Sequence, residues 1–293
     1  MRIFQRNILK ERRSEVIPPQ DGAPYRGPRV LTVTSGKGGV GKTNLTVNLA
    51  IALAQEGQRV IVLDADLGLA NVEVLLGIIP SLNLYDHLFR DVPIWDIMMP
   101  GPAGIKIISG GAGFLELANL TGSQRSKLLN SIEKLNSLAD FVLIDTGAGI
   151  SKDVLAFCAA ADEVYTVITP EPTSLTDAYG LIKVLDRFKL HKEVGLVVNQ
   201  SHGSGESFSS VQRLSNLSER YLTIKLTNLG TIPYNQLVVS AVKNQKPFIL
   251  AKPQSNVAEA VKAIAYSILK KDLKVEAEGS LRGFISKLAR LFK

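Results

Sequence analysis

From Arg29 onward, apolar positions follow two alternating rhythms. Short runs rich in β-branched residues occur as VLTVT (30–34), RVIVLD (59–64), FVLID (141–145), EVYTVIT (163–169), VGLVVN (194–199) and LGTIP (229–233). They leave no room for a solvent-facing row, as expected of strands covered on both faces. Windows of helical periodicity separate them and predict helices over 43–55, 124–138, 174–188, 207–221, 235–244 and 256–269. This alternation predicts an α/β fold, a doubly wound and mostly parallel sheet with helices on both sides. Residues 1–28 are different: they are basic, are interrupted by Pro18, Pro19, Pro24 and Pro28, and lack sustained periodicity. They predict a mobile arm before a folded domain at 29–270, which a polar linker, 271–280, joins to a last segment at 281–293.

That last segment changes the picture of charge. The chain of 293 residues has an ordinary globular composition, 45% hydrophobic and 21% charged, and a net charge of +7. From Leu281 on there are four cations, Arg282, Lys287, Arg290 and Lys293, and no acid. Leu281, Phe284, Ile285, Leu288 and Phe292 recur at i, i+3, i+4, i+7 and i+11, which predicts a C-terminal amphipathic helix with cationic flanks. Such a helix lies in an anionic membrane surface, each cation contributing about 1 kcal/mol. The competing reading packs it on its own domain or on a protein partner. No apolar run approaches the roughly 20 residues of a membrane span, and the first residues lack a signal peptide's apolar core. The expected place is the cytoplasm, peripheral on the inner face of the cell membrane. One cysteine, Cys158, allows no internal disulfide and no iron–sulfur or zinc site built on cysteine pairs. His87, His191 and His202 lie far apart, so a metal site would need the fold to gather them.

The chemistry is carried by Gly36, Lys37, Gly38, Gly39, Val40, Gly41, Lys42 and Thr43, which satisfy G-x-x-x-x-G-K-[ST] between a predicted strand and a predicted helix. Glycines let backbone N–H groups close around phosphate oxygens, and the helix N-terminus adds its positive dipole end. Lys42 is placed to reach the β- and γ-phosphates and the Thr43 hydroxyl to ligate Mg²⁺. This is a P-loop NTPase fold whose cofactors are a nucleoside triphosphate and Mg²⁺. Asp145, ending the apolar run FVLID before Thr146, Gly147, Ala148 and Gly149, fits the acid that holds Mg²⁺ through water; a buried, paired aspartate is the alternative. Asp64 and Asp66 end RVIVLDAD at the carboxyl edge of a strand, where open α/β sheets bind ligands.

The octet KGGVGKT carries a second lysine, Lys37, and with DADLGLAN it resembles the deviant Walker A ATPases of the MinD/ParA family. The resemblance covers roughly 29–270 and the tail. It implies that Lys37 crosses a homodimer interface to the partner's phosphates; a solvated surface lysine is the alternative. It also implies that Asp66 orients the attacking water, that Asp64 supports the Mg²⁺ shell, and that Asn71 belongs to the same switch segment. The alternative for Asp66 is a helix or turn cap. Asn199 and the segment Ile232, Pro233 and Tyr234 match positions that hold adenine in relatives. ATP is favoured over GTP because Asn199 begins no NKxD-type motif, and a simple turn residue is the other reading of Asn199.

DTGAG at 145–149 and EPTSLTDAYGLIKVL from Glu171 look like the flagellar-number branch, FlhG, FleN and YlxH. That branch implies an ATPase that dimerises with ATP, cycles on the membrane, and works with a flagellar signal-recognition-type GTPase and flagellar switch proteins. MRIFQRNILKERR does not match the DQAxxLR activator helix of many such regulators, which puts GTPase activation by this arm in doubt. A division-site regulator with the same chemistry and a ParA-type DNA-partitioning ATPase are the competing functions. The tail speaks against nucleic acid.

Overall fold

The computed structural model describes residues 27–66, 71–110 and 136–271, with residues 121, 123 and 130. The arm up to residue 26, most of the helix expected at 124–138, nearly all of the linker and the amphipathic tail lie outside the described residues, as does 67–70. In chain order the elements are β1 (Arg29–Ser35), α1 (Lys42–Gln55), β2 (Val60–Ala65), α2 (Asn71–Leu76), α3 (Leu84–Phe89), β3 (Met98–Pro100) and β4 (Lys106–Ser109). There follow β5 (Phe141–Ala148), α4 (Lys152–Ala160), β6 (Glu163–Ile168), α5 (Pro172–Arg187), β7 (Glu193–Ser201) and α6 (Ser204–Tyr221). The last are β8 (Lys225–Pro233), α7 (Gln236–Lys243), α8 (Phe248–Ala251) and α9 (Asn256–Lys270).

The strands form one eight-stranded sheet in the order β3-β4-β2-β5-β1-β6-β7-β8. Every neighbour pair is parallel except the edge pair β3 and β4. All six expected strands are present. The structure adds β3 and β4, together with α2, α3, α4 and α8, none of which stood out in the sequence pattern.

Alternation along each strand divides the core between the two faces. Leu31 and Val33 of β1 join Leu45, Leu49 and Leu53 of α1 and Val261, Ile264 and Ile268 of α9 on one face. Val30 points the other way and packs with Leu84, Leu88 and Phe157. Farther along that second face, α4, α5 and α6 cover β6 and β7 through Cys158, Ala178, Leu181 and Leu214. A fully buried Leu or Ile contributes about 1.5–3 kcal/mol, so both helical layers are held by the sheet rather than by their own propensity. Ser151 and Ser255 cap α4 and α9 by accepting from Val154 N and Ala258 N.

The two ends of the folded domain meet at the amino end of β1. Arg29 pairs with buried Glu163 at 2.6 Å and donates to the Ile268 carbonyl of α9 at 2.8 Å, and Lys271 reaches the same Glu163 at 3.3 Å. The chain therefore leaves α9 beside the start of β1, whereas the phosphate loop follows its far end.

Candidate functional site

The loop after β1 turns because glycine permits it. Gly39 and Gly41 adopt left-handed backbone angles, φ +77° and +92°, and Gly41 is the N-cap of α1. Gly36 has an ordinary φ but no room: a Cβ there would lie 2.2 Å from the Asp177 carbonyl carbon of α5. The loop is thus pressed against the backbone of a neighbouring helix, and its first glycine is a packing requirement.

Behind the loop, Asp145, within β5 and three residues before its end, anchors the first turn of α1. It accepts from Thr43 Oγ1 at 2.6 Å and from Thr46 Oγ1 at 3.0 Å. Thr46 was not singled out from the sequence, although its place three residues after Thr43 on the same helix face is the signal that could have found it. Asp145 is fully buried, and burial pushes its carboxyl up to about 6 against the pull of Thr43, Lys42 and Thr46. Burial lowers Lys42 below the ordinary lysine value, opposed by Asp145 and Asp66. Each ion is thus under-solvated despite the other. A polyphosphate near Lys42 and a divalent cation near Asp145 and Thr43 would relieve both, and these are the residues that fit Mg²⁺ and ATP.

A cleft of about 550 Å³ opens in front of this group. It is lined by the loop glycines, Lys42, Thr43 and Asn44, by Asp66 and Ala148, by Asn71, Val74 and Leu75 of α2, by Val242 and Lys243 of α7, and by Gln245 just after α7. Asp66 Oδ2 accepts from Asn71 Nδ2 at 2.9 Å, which joins the two residues of the expected switch segment. Asp64 stands behind them. Its two oxygens accept from Asp66 N and Val72 N, both at 3.1 Å, and it does not line the cleft. Burial, with the Glu73 carboxyl beside it, pushes Asp64 up to about 9.

Lys37 points to the side. Its Nζ lies 2.7 Å from Glu171 Oε2 and 3.0 Å from Thr173 Oγ1, at the start of α5. The sequence offered no sign of this pairing, because nothing in it relates Lys37 to Glu171. At the positions expected to hold the base, Asn199 lies near the end of β7 and Pro233 ends the neighbouring β8, and Asn199 Nδ2 donates to the Val40 carbonyl at 2.8 Å. A Cβ on Gly41 would meet the same amide nitrogen at 2.3 Å, so Asn199 buttresses the loop. Gln200 Nε2 reaches Gly39 O at 3.4 Å, a weaker contact of the same kind. Tyr234 stacks on His202 with ring centroids 4.9 Å apart. His87 is buried with Nδ1 2.6 Å from the Val92 carbonyl, and among the described residues no group of three potential ligands could hold a metal.

Residues 28–269 match the family model described as ParA, NUBPL iron-transfer P-loop NTPase. The chain is 38% identical over 262 residues to the antiactivator FleN of Pseudomonas aeruginosa, covering 89% of this chain and 94% of that one. It is 31% identical over 267 residues to the flagellum site-determining protein YlxH of Helicobacter pylori, covering 89% and 90%. Among solved structures, the septum site-determining protein MinD from Pyrococcus horikoshii, complexed with Mg-ADP, is similar with TM-score 0.66 and 26% identity. That likeness covers 83% of this chain and 96% of that one. The phosphate loop and its buried lysine and aspartate thus sit inside a match that spans almost the whole folded domain, and the chain belongs to the ParA family of P-loop proteins, as an ATP hydrolase that works with Mg²⁺.

Proposed function

We propose that this ATPase is a positional switch: it dimerises on ATP, binds an anionic membrane through residues 281–293, and so sets flagellar number or placement. The observation that carries the reading is the direction of Lys37. Its ammonium is held against Glu171 and Thr173 and does not line the cleft, which leaves Lys42 as the cation that the loop itself contributes there. A triphosphate gains a second cation when another copy faces the loop, as an arginine finger does when supplied in trans. Asp66, steadied by Asn71, is the residue that orients the attacking water, and Asp64 supports the Mg²⁺ site from behind by holding the switch backbone. Asn199 and Pro233 lie where the adenine would sit beside the loop.

The tail follows α9, which ends beside Arg29 at the start of β1. The seven residues of β1 separate that point from the phosphate loop by roughly 20 Å at about 3.3 Å per residue. On this reading nucleotide acts on the membrane through dimerisation. Two weakly binding helices joined in one particle gain avidity of roughly 10² or more, which makes attachment follow the nucleotide. The likeness to FleN and YlxH favours a flagellar role, with a signal-recognition-type GTPase and flagellar switch proteins as partners. Co-sedimentation with anionic vesicles in ATP, ADP or no nucleotide tests this, with a chain ending at Gly279 as control. ATP-dependent binding that the truncation abolishes is expected; binding indifferent to nucleotide or tail would refute the switch.

A further inference from the structure

Helix α2 has six residues, too few to persist in water without outside ties. At its amino end Val72 N donates to Asp64, and from its side Val72 and Leu75 enter the core. Its carboxyl end is tied by a residue 171 positions away. Helix α7 stops in a Schellman arrangement, with Gln245 N donating to Val242 O and Lys246 N to Ala241 O, each at 3.0 Å. Glycine is the usual occupant of the left-handed position in such a stop, yet here it is Gln245, at φ +50°. A side chain at that angle carries a backbone cost that glycine avoids.

The side chain of Gln245 shows what is obtained in return. Its Nε2 donates to the Val74 carbonyl at 3.0 Å, an acceptor that also receives Gly77 N at 3.2 Å. Gly77 is itself left-handed, at φ +65°, and a Cβ on it would stand 3.1 Å from Gln245 Oε1. The carboxyl-terminal stops of α2 and α7 are therefore interlocked. At the other end of α2, Asn71 is the residue bonded to Asp66.

We infer that Gln245 is a positioning residue for ATP hydrolysis: by fastening the end of α2 to α7 it keeps Asn71, and through Asn71 the Asp66 carboxylate, oriented for the attacking water. The inference rests on the reading of Asp66 as the group that holds that water. It concerns the chemical step and needs neither membrane nor flagellar partner.

The test is steady-state ATP hydrolysis in solution by the full chain, without lipid, for Gln245→Gly, Gln245→Glu and Asp66→Asn. Gln245→Gly removes the backbone strain together with the hydrogen bond, so its melting temperature stays at or above that of the wild type. Its kcat falls roughly 3–10-fold, the consequence of losing one hydrogen bond, while KM for ATP stays within about twofold. Amide exchange at residues 72–76 quickens while the core strands keep their protection. Gln245→Glu has the same length but no donor to offer a carbonyl, and it shows the same fall in kcat. A wild-type kcat in either variant would overturn the inference. So would a fall in kcat that tracks a lower melting temperature and faster exchange throughout the sheet. Asp66→Asn hydrolysing at the full rate would instead remove the reading of Asp66 on its own account, whatever Gln245 does.

Discussion

Replacing Gly36 by alanine tests whether the phosphate loop is shaped by its neighbours as well as by its ligand. The added Cβ would fall 2.2 Å from the Asp177 carbonyl carbon, 2.3 Å from its oxygen and 2.5 Å from Ala178 N, all backbone atoms of α5. No rotamer relieves a contact with backbone, so the loop or the helix must retreat by about 1 Å to regain van der Waals distance. Overpacking of this kind costs about 1–3 kcal/mol, and the upper end applies where three backbone atoms are struck at once. For a domain of this size that corresponds to a melting temperature lower by roughly 6–12 °C. A displacement near 1 Å in a positioning element can also cost on the order of 10²-fold in activity. Gly38→Ala is the control, since nothing lies within 4 Å of its Cβ and its backbone angle suits any residue. It should change stability by less than about 0.5 kcal/mol. Calorimetry on both variants, with and without ATP and Mg²⁺, supplies the melting temperatures and the affinities. If Gly36→Ala melted with the wild type and bound ATP equally well, the close approach to α5 would have no energetic consequence and the packing argument would fail.

Lys42→Ala should weaken ATP binding by at least ~10²-fold, since two charge-assisted bonds at about 1.5–3 kcal/mol each are lost; unchanged affinity in titration calorimetry would sink the phosphate-loop assignment. Asp66→Ala should bind ATP normally, accumulate as a dimer and release phosphate about 10²-fold more slowly or worse; light scattering and a phosphate assay decide, and a wild-type rate contradicts its role. Asp145→Asn isolates a titration. Because burial raises the folded carboxyl from 3.8 to about 6, the folded state holds that proton more tightly than the unfolded chain does. Stability of the nucleotide-free wild type relative to Asp145→Asn should therefore fall as pH rises from about 4 to about 6, by up to ~3 kcal/mol, and level off above. Asp64 is raised mainly by its own burial and by Glu73, which both proteins share, so most of its contribution cancels in the difference. A difference independent of pH across that window would refute the burial argument.

What could be read from the sequence and what could not divide along a physical line. β1, β2, β5, β6 and β7 were legible because burial on both faces removes polar alternation, the edge strand β8 through its run LGTIP, and α5, α6 and α9 because each shows a solvent face. β3 and β4 were missed because three residues ending in Pro100 and the four residues KIIS are too short to show a period. The four missed helices are short as well, and Ser151 ahead of Lys152–Ala160 was the one cap signal available for α4. In the site, Thr43 was placed by the phosphate-loop motif, Asp145 by its position after an apolar run, and Asp66 by the family resemblance together with the rule that ligands gather at the carboxyl ends of parallel strands. That rule names the edge but not the neighbour. Thr43 and Asp145 are 102 positions apart, Asn199 and Val40 are 159 apart, and Gln245 and Val74 are 171 apart. The first follows from a strand order in which β5 lies between β1 and β2, and no local pattern encodes that order. Asp64 shows the consequence most directly. The family resemblance implied that it supports the magnesium shell, but only the fold brings Val72 N and Glu73 to it. Its carboxyl, pushed up by burial, accepts from the backbone of Asp66 and of Val72 and so braces the switch segment.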